Sequence, residues 1–140
     1  AEVPVTALRA GQILKLSELP LRYVALSSCY RREAGTYGKD TRGLYRVHQF
    51  LKVEQVVIDV ADAEQSRRHH HEILANAEEV CRALGLCYRV VNVCGGDLGQ
   101  AQVQKFDIET WMPSRGGFGE THSASRFHDF QARRLDLRYR

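Results

Sequence analysis

Length, composition and charge restrict the class of protein before any motif is considered. The chain has 140 residues, of which 44% are hydrophobic, with 11 Gly, 3 Pro and 4 Cys. These values predict one globular domain with its own core and exclude a disordered tail. No apolar run approaches the roughly 18 residues that a membrane span needs. The cysteines include no Cys-x-x-Cys pair, which favours reduced thiols, so we expect a cytoplasmic protein outside the membrane.

The net charge of +3 is unevenly distributed along the chain. Residues 20–50 hold six basic against two acidic residues, residues 59–80 hold two against six, and residues 126–140 hold five against two. Two basic regions therefore flank an acidic one, a pattern expected where one surface binds a polyanion. The alternative is that these arginines are solvated and bind no ligand, which is the more common case for any single arginine.

Strand-forming residues dominate the first half of the chain. Residues 21–32 are rich in Tyr, Val and Leu with no helix cap before them, which indicates a strand. Residues 34–43 contain three glycines and no apolar period, so a long connection is predicted. Dense β-branched residues over 45–60 predict a second strand antiparallel to the first, and leave open a third that continues from it.

Apolar residues at intervals of three and four over residues 62–84 predict one amphipathic helix that ends at Gly85. Its apolar stripe is expected to contain Ile73, Ala77, Val80 and Leu84. The run of three histidines at 69–71 also lies on this helix. Because no second cluster of metal ligands accompanies it, a solvated face is predicted there rather than a zinc site.

The second half of the chain alternates between short apolar runs and glycine-rich turns. Residues 87–94 are predicted to form a strand, and Asp97 is expected to cap a short helix over residues 98–104. Residues 106–112 alternate as a strand does, residues 113–119 are predicted to be a loop, and residues 120–140 could form helix or strand. The sum is an α+β domain with a mainly antiparallel sheet flanked by helices.

The strongest cluster of chemically competent residues lies on the two predicted strands of the first half. Alternate residues of a strand share a face, so Arg31 and Glu33 point together, as do Phe50 and Glu54 on the returning strand. Arginine binds phosphate or carboxylate through two parallel hydrogen bonds, and an aromatic ring can stack on a purine. One paired face could therefore hold a nucleotide beside an amino acid. A cross-strand salt-bridge ladder is the structural alternative.

This order of residues resembles motif 2 of class II aminoacyl-tRNA synthetases: an aromatic residue, Arg, any residue and Glu, then a loop and Arg-x-x-x-Phe. Within that class the chain resembles the seryl-tRNA synthetases over essentially its whole length. The segments that carry the resemblance include Arg46-Val47-His48-Gln49-Phe50, Lys52-Val53-Glu54, Gly96-Asp97-Leu98-Gly99, Phe106-Asp107-Ile108-Glu109, Trp111-Met112-Pro113 and Asp129-Phe130-Gln131-Ala132-Arg133-Arg134.

The resemblance implies a fold, an activity and a set of partners. Residues 1–140 would form one partial class II catalytic domain, with an incomplete antiparallel sheet. The activity would be ATP-dependent activation of L-serine to seryl-adenylate and its transfer to tRNA(Ser), with ATP and Mg²⁺ as cofactors and a homodimeric parent enzyme. Motifs 1 and 3 would lie outside residues 1–140, so we expect the isolated chain to aminoacylate weakly or not at all. The alternative is a catalytically incomplete paralogue or fragment that binds ATP, amino acid or RNA.

The resemblance also implies which residues bind the two small substrates. Arg31 matches the catalytic arginine that contacts the α-phosphate and the substrate carboxylate. Glu33 matches the glutamate that binds the adenine amino group, and Phe50 matches the ring that stacks on adenine. Glu2 and Glu54 match two glutamates that bind serine.

Further matches concern the metal ion and the tRNA. Glu120 and Ser123 match the Glu-x-x-Ser motif that binds ATP and its Mg²⁺. Lys39 and Arg42 lie in a loop that resembles the one contacting the acceptor end of tRNA, whose phosphates attract cations. Two departures stand beside this motif, because His122 and Arg126 occupy positions where small or amide residues are usual. We expect them to alter the geometry of the ATP and metal site or to lower the rate.

Overall fold

The computed structural model describes residues 2–32 and 43–140. Its longer elements form two antiparallel sheets, β2 with β3 and β4 with β5 and β6, and a third pair, β1 with β7, is parallel. In chain order the helices and strands are α1 (Glu2–Ala7), β1 (Ile13–Leu14), β2 (Leu21–Tyr30), β3 (Gln49–Ile58), α2 (Ala63–Ala83), β4 (Tyr88–Asn92), β5 (Gln104–Met112), β6 (Gly117–Arg126), α3 (Phe130–Arg134) and β7 (Arg138–Tyr139).

The predicted pair of strands in the first half is confirmed. β2 and β3 run antiparallel, from Leu21 opposite Ile58 to Tyr30 opposite Gln49. The third strand that the sequence left open is not formed, because residues 44–48 are bends and irregular chain. Most of the predicted connection over residues 34–43 lies outside the described residues.

The two faces of the β2–β3 pair differ in their exposure. Odd-numbered residues of β2 are half-buried and even-numbered ones are exposed. Four apolar side chains on the outer face, Val24, Leu26, Leu51 and Val53, are 65% to 72% exposed. The described residues therefore cover only one face of this pair, and the half-buried face carries the candidate site.

Helix α2 packs on one face of the β4–β5–β6 sheet and forms the core there. Leu74 and Cys81 from the helix meet Ile108 of β5, and all three are at most 7% exposed. The helix begins where the Asp62 side chain accepts a hydrogen bond from the Gln65 amide at 2.7 Å. It ends before Gly85, whose φ of +65° suits a residue without Cβ.

The predicted helix is confirmed, but its predicted apolar stripe is wrong at two positions. Val80 is 52% and Leu84 is 67% exposed. The residues that face the sheet are Leu74, Ala77 and Cys81. Ala77 belongs to the predicted stripe, and Leu74 and Cys81 lie beside it on the helix.

Two expectations for the second half are corrected by the structure. Asp97 is the last residue of a 3₁₀ turn over Gly95–Asp97 and caps no helix. Gly99 and Gln102 close a further turn through two hydrogen bonds of 2.9 and 2.7 Å, so the chain enters β5 at Gln104. The predicted loop over residues 113–119 is shorter, because β6 already begins at Gly117.

The C-terminal segment, left as helix or strand by the sequence, contains both. β6 occupies residues up to Arg126, α3 follows, and β7 pairs with β1 through Arg138 opposite Ile13. The fold is therefore α+β with mainly antiparallel strands, as predicted. No helix within residues 2–32 and 43–140 is both long and apolar enough to cross a membrane.

The packing of α2 gives a testable prediction about stability. Leu74 is 7% exposed in the core, so Leu74→Ala should lower the free energy of unfolding by about 2–5 kcal/mol. Val80→Ala on the same helix is the matched control and should cost less than about 1 kcal/mol, because Val80 is 52% exposed. Urea unfolding followed by circular dichroism measures both values. Equal losses would contradict the assignment of the buried stripe.

Candidate functional site

The register of β2 and β3 gathers the predicted site residues of the hairpin. Cys29 is opposite Phe50, Ser27 is opposite Lys52 and Ala25 is opposite Glu54. Residues directly opposite each other in an antiparallel pair project to the same face. Phe50 and Glu54 therefore share the half-buried face, and the small residues across from them leave space above it.

Arg31 continues this face one position beyond the end of β2. Its amide donates to the His48 carbonyl at 2.9 Å, and a ring nitrogen of His48 contacts the Arg31 carbonyl oxygen at 3.0 Å. The guanidinium donates through Nε to the Val47 carbonyl at 3.0 Å and lies 4.8 Å from the centre of the Phe50 ring. Arg31 is thus held beside Phe50 by its backbone and by its side chain, as the alternation of the strands predicts.

Glu54 forms an ion pair within its own strand. The Lys52 ammonium is 2.9 Å from Oε2 of Glu54, whose side chain is 15% exposed. That oxygen is buried, and its contact with Lys52 is an ion pair rather than a well-aligned hydrogen bond. No role was predicted for Lys52, although its position two residues before Glu54 on the same face was a usable signal.

Glu2 approaches the same face from helix α1. Oε1 of Glu2 accepts a hydrogen bond from the side-chain amide of Gln131 in α3. The hydroxyl of Thr6 donates to the Glu2 carbonyl at 2.9 Å, which fixes the first turn of α1. Gln131 thus orients a predicted serine-binding carboxylate from 129 residues away in sequence, and no local sequence signal could have revealed that contact.

A cavity of about 1060 Å³ lies between this face and the outer edge of β6. Its wall includes Glu2, Lys52, Glu54 and Ser123. Three of the predicted site residues therefore open on one cavity. Among the described residues, three further predicted site residues, Arg31, Phe50 and Glu120, do not line it.

A β-bulge brings Glu120 and Ser123 to one face of β6. Three residues apart on a regular strand, they would point in opposite directions. The register shifts between Ile108 and Glu109, however, so Ser123 is opposite Asp107 while Glu120 is opposite Glu109. The extra residue on β6 restores a common face for the carboxylate and the hydroxyl.

Glu120 lies among charges of both signs. Burial raises the pKa of its carboxyl group, and the nearby charges of Asp107 and Glu109 raise it further. Lys105 and Arg46 oppose this effect, and Lys105 itself is 3.1 Å from Oδ1 of Asp107. The Tyr45 hydroxyl donates to the Glu120 carbonyl at 3.0 Å and links β6 to the segment before β3.

The same bulge corrects the expectation for His122. This residue is opposite Ile108, on the face that packs against α2, and therefore points away from Glu120 and Ser123. Burial lowers the pKa of its imidazole, which favours the neutral ring. His122 does not stand beside the predicted metal site, because the register shift separates it from its neighbours in sequence.

The expectation of a solvated histidine face on α2 is also wrong. His70 is 2% exposed, stacks on Phe106 at 4.8 Å and contacts the Ala124 carbonyl oxygen through Nε2 at 2.9 Å. His69 bridges Asp59 and Glu72 at 2.8 and 3.0 Å. These rings join α2 to β6 and to the end of β3. Within residues 2–32 and 43–140, no group of three or more His, Cys, Asp or Glu side chains is arranged to hold a metal ion.

Three predicted site residues lie outside the described residues. They are Glu33, Lys39 and Arg42. Their predicted contacts with adenine and with tRNA therefore stay predictions from the sequence.

The chain matches one protein family along its whole length. Residues 1–140 match the family described as tRNA synthetase class II core domain (G, H, P, S and T). The chain is 53% identical over 140 residues to a serine–tRNA ligase of Thermococcus kodakarensis and 51% identical to one of Deinococcus radiodurans. It covers 30% and 33% of these two proteins, so it spans about a third of the length of the relatives that it matches.

Solved structures agree with this family assignment. The fold matches a seryl-tRNA synthetase from Pyrococcus horikoshii complexed with ATP at a TM-score of 0.92 and 52% identity, over 98% of this chain and 30% of that one. It also matches a cytoplasmic serine–tRNA ligase from Naegleria fowleri in complex with AMP at a TM-score of 0.93 and 39% identity, over 99% and 33% of the respective chains. The predicted mainly antiparallel α+β fold of the class II type is confirmed.

The environment of Glu120 yields a prediction about pH. Folding raises the pKa of this carboxyl group, so ionised Glu120 destabilises the folded state at pH values above its folded-state pKa. This destabilisation disappears as the pH falls below the pKa that the carboxyl group has in the unfolded chain. Glu120→Gln should therefore raise the thermal unfolding midpoint at pH 7 and leave it nearly unchanged at pH 3. Calorimetry at both pH values measures this difference. A lower midpoint at pH 7 would contradict the electrostatic account.

Proposed function

Since the chain belongs to the tRNA synthetase class II core-domain family, we propose that the full-length protein containing it is a serine–tRNA ligase. It activates L-serine with ATP to form seryl-adenylate and transfers the seryl group to tRNA(Ser). The observation that carries the proposal is the common face of Arg31, Phe50 and Glu54, set by the register of β2 and β3. The serine–tRNA ligase relatives support the choice of amino acid.

Arg31 and Phe50 have the chemistry to bind the nucleotide. An aromatic ring offers its face to a purine, and a guanidinium offers two parallel N–H groups to a phosphate or a carboxylate. The Val47 carbonyl and the Phe50 ring already hold the Arg31 side chain. Little conformational entropy is therefore lost when the substrate binds, and we assign Arg31 the catalytic role of aligning the two substrates.

The activation step needs alignment and charge neutralisation more than a general base. The carboxylate of serine is ionised at neutral pH and attacks the α-phosphorus of ATP directly. A new bond forms between a carboxylate oxygen and phosphorus, the bond to the bridging oxygen breaks, and pyrophosphate leaves with that electron pair. Arg31 stabilises the negative charge that spreads over the α-phosphate oxygens in the transition state.

Glu54 and Glu2 are proposed to bind serine. A carboxylate in a small cavity accepts a hydrogen bond from the substrate hydroxyl and attracts its ammonium group. Free alanine, as a competing substrate, has no hydroxyl and would leave the buried carboxylate without a hydrogen-bond donor. A polar pocket of this kind therefore rejects alanine more strongly than the difference in size between alanine and serine would explain. The predicted stacking of adenine on Phe50 would place the amino acid further along the same face.

Glu120 and Ser123 are proposed to hold Mg²⁺ with the phosphates of ATP. The fit rests on the donor set: a carboxylate and a hydroxyl share one face, and hard oxygen ligands are those that Mg²⁺ prefers. Bound Mg²⁺ neutralises phosphate charge. The charges of Asp107 and Glu109 raise the affinity of Glu120 for a cation or a proton, and Lys105 and Arg46 oppose this effect.

Transfer to tRNA completes the proposed reaction. The 3′-terminal hydroxyl of tRNA(Ser) attacks the carbonyl carbon of seryl-adenylate, and AMP leaves. Lys39 and Arg42 stay predicted contacts for the acceptor end. The homodimer of the parent enzyme and its cytoplasmic location likewise stay predictions from the sequence.

The central role of Arg31 is tested in the full-length protein. Arg31→Ala should lower serine-dependent exchange of pyrophosphate into ATP by at least about a hundredfold, because a transition-state contact is lost. Arg22→Ala is a control on the same strand, at an exposed ion pair with Glu72, and should retain exchange within about threefold. Near-normal exchange by Arg31→Ala, with the fold intact, would overturn the assignment.

A further inference from the structure

Beyond the residues that the resemblance assigns, we propose that Lys52 is a positioning residue for serine: it holds Glu54 by one oxygen and balances the charge of the carboxylates around the substrate. The inference rests on the proposed function, because it concerns the same amino-acid site. Lys52 is not expected to touch the reacting atoms. It acts through Glu54.

The first support is the geometry of the ion pair. The ammonium of Lys52 is 2.9 Å from Oε2 of Glu54, and both residues line the cavity with Glu2. Because the ion pair engages Oε2, the other oxygen of the carboxylate is left to accept the hydroxyl of serine. A carboxylate fixed at one oxygen also loses less rotational freedom when a ligand binds the other.

The second support is the local charge. Glu2 and Glu54 bring two negative charges to the cavity lining, Lys52 contributes one positive charge to it, and both carboxylates act on the Lys52 ammonium. These three groups leave a net charge of −1, which matches the single ammonium of an amino acid. Arg31 can neutralise the carboxylate of the same substrate. Without Lys52, two carboxylates would face one ammonium, and the unbound site would carry uncompensated repulsion.

Lys52 is held in its charged form by these neighbours. Burial lowers its pKa, but the close contact with Glu54 and the charge of that carboxylate raise it more, with smaller contributions from Cys29 and Glu2. The net pKa lies above the ordinary lysine value. The ammonium therefore persists throughout the neutral range, and the ion pair is a permanent part of the unbound site.

The residues opposite the pair explain why the contact forms within the strand. Ser27 and Ala25, which face Lys52 and Glu54 from β2, are small and carry no charge. They leave room for the lysine chain to fold along the face and offer the ammonium no competing carboxylate. The side chains of Lys52 and Glu54 are 45% and 15% exposed, so the carboxylate is the buried partner of this pair. In the Arg67–Glu64 pair on α2 both side chains are largely exposed, at 50% and 69%. A pair so exposed contributes little.

The experiment compares three variants of the full-length protein in serine-dependent ATP–pyrophosphate exchange. Lys52→Gln should raise the KM for serine by about tenfold to a hundredfold, because a charge-assisted contact that orients Glu54 is lost. The KM for ATP should change by less than about threefold, because Phe50 and Arg31 are untouched. Lys52→Arg retains the charge and should recover most of the serine affinity. Arg67→Gln, which removes an exposed ion pair, is the matched control and should behave as wild type.

Thermal unfolding of each variant separates positioning from a structural role. The inference predicts that Lys52→Gln keeps its unfolding midpoint near that of Arg67→Gln while its KM for serine rises. An unchanged KM for serine, an equal rise in both KM values, or unfolding of Lys52→Gln and Lys52→Arg alike would overturn it. Wild-type protein without serine-dependent exchange would instead overturn the proposed function, and this inference with it.

Discussion

The pairing register of β2 and β3 is the constraint on which the candidate site depends. Each strand contributes ten residues, and the pairing is continuous from Leu21 opposite Ile58 to Tyr30 opposite Gln49. A slip of one residue would move Phe50, Lys52 and Glu54 to the outer face, where Leu51 and Val53 now lie exposed. The register therefore decides whether the Arg31 guanidinium, the Phe50 ring and the Glu54 carboxylate lie on one face of the strand pair or point apart.

In both sheets, a lysine lies close to a carboxylate on its own strand and compensates its negative charge. Carboxylates that lie close together in a partly buried site repel one another. In β3 a lysine lies two residues before Glu54, and in β5 a lysine lies two residues before Asp107, with ion pairs of 2.9 and 3.1 Å. Residues two apart share a face, so each cation stands beside its carboxylate without help from another element.

The sequence predicted most of the architecture, because alternation and helical periodicity are local signals. The strands, the long helix and the common face of Arg31, Phe50 and Glu54 follow from them. The bulge in β6 could not be predicted, since a single extra residue leaves no compositional trace, and this misplaced His122. His70 was misjudged because a polar residue can be buried when a carbonyl such as that of Ala124 accepts its hydrogen bond. The contact of Gln131 with Glu2 depends wholly on tertiary packing.

A crystal structure of the full-length protein with a non-hydrolysable analogue of seryl-adenylate tests the account most directly. We expect the adenine to stack on Phe50, the Arg31 guanidinium to lie within about 3.5 Å of the α-phosphate group, and the seryl hydroxyl to lie at the same distance from Glu54. An analogue bound away from this face, or one that contacts neither Arg31 nor Glu54, would contradict the account.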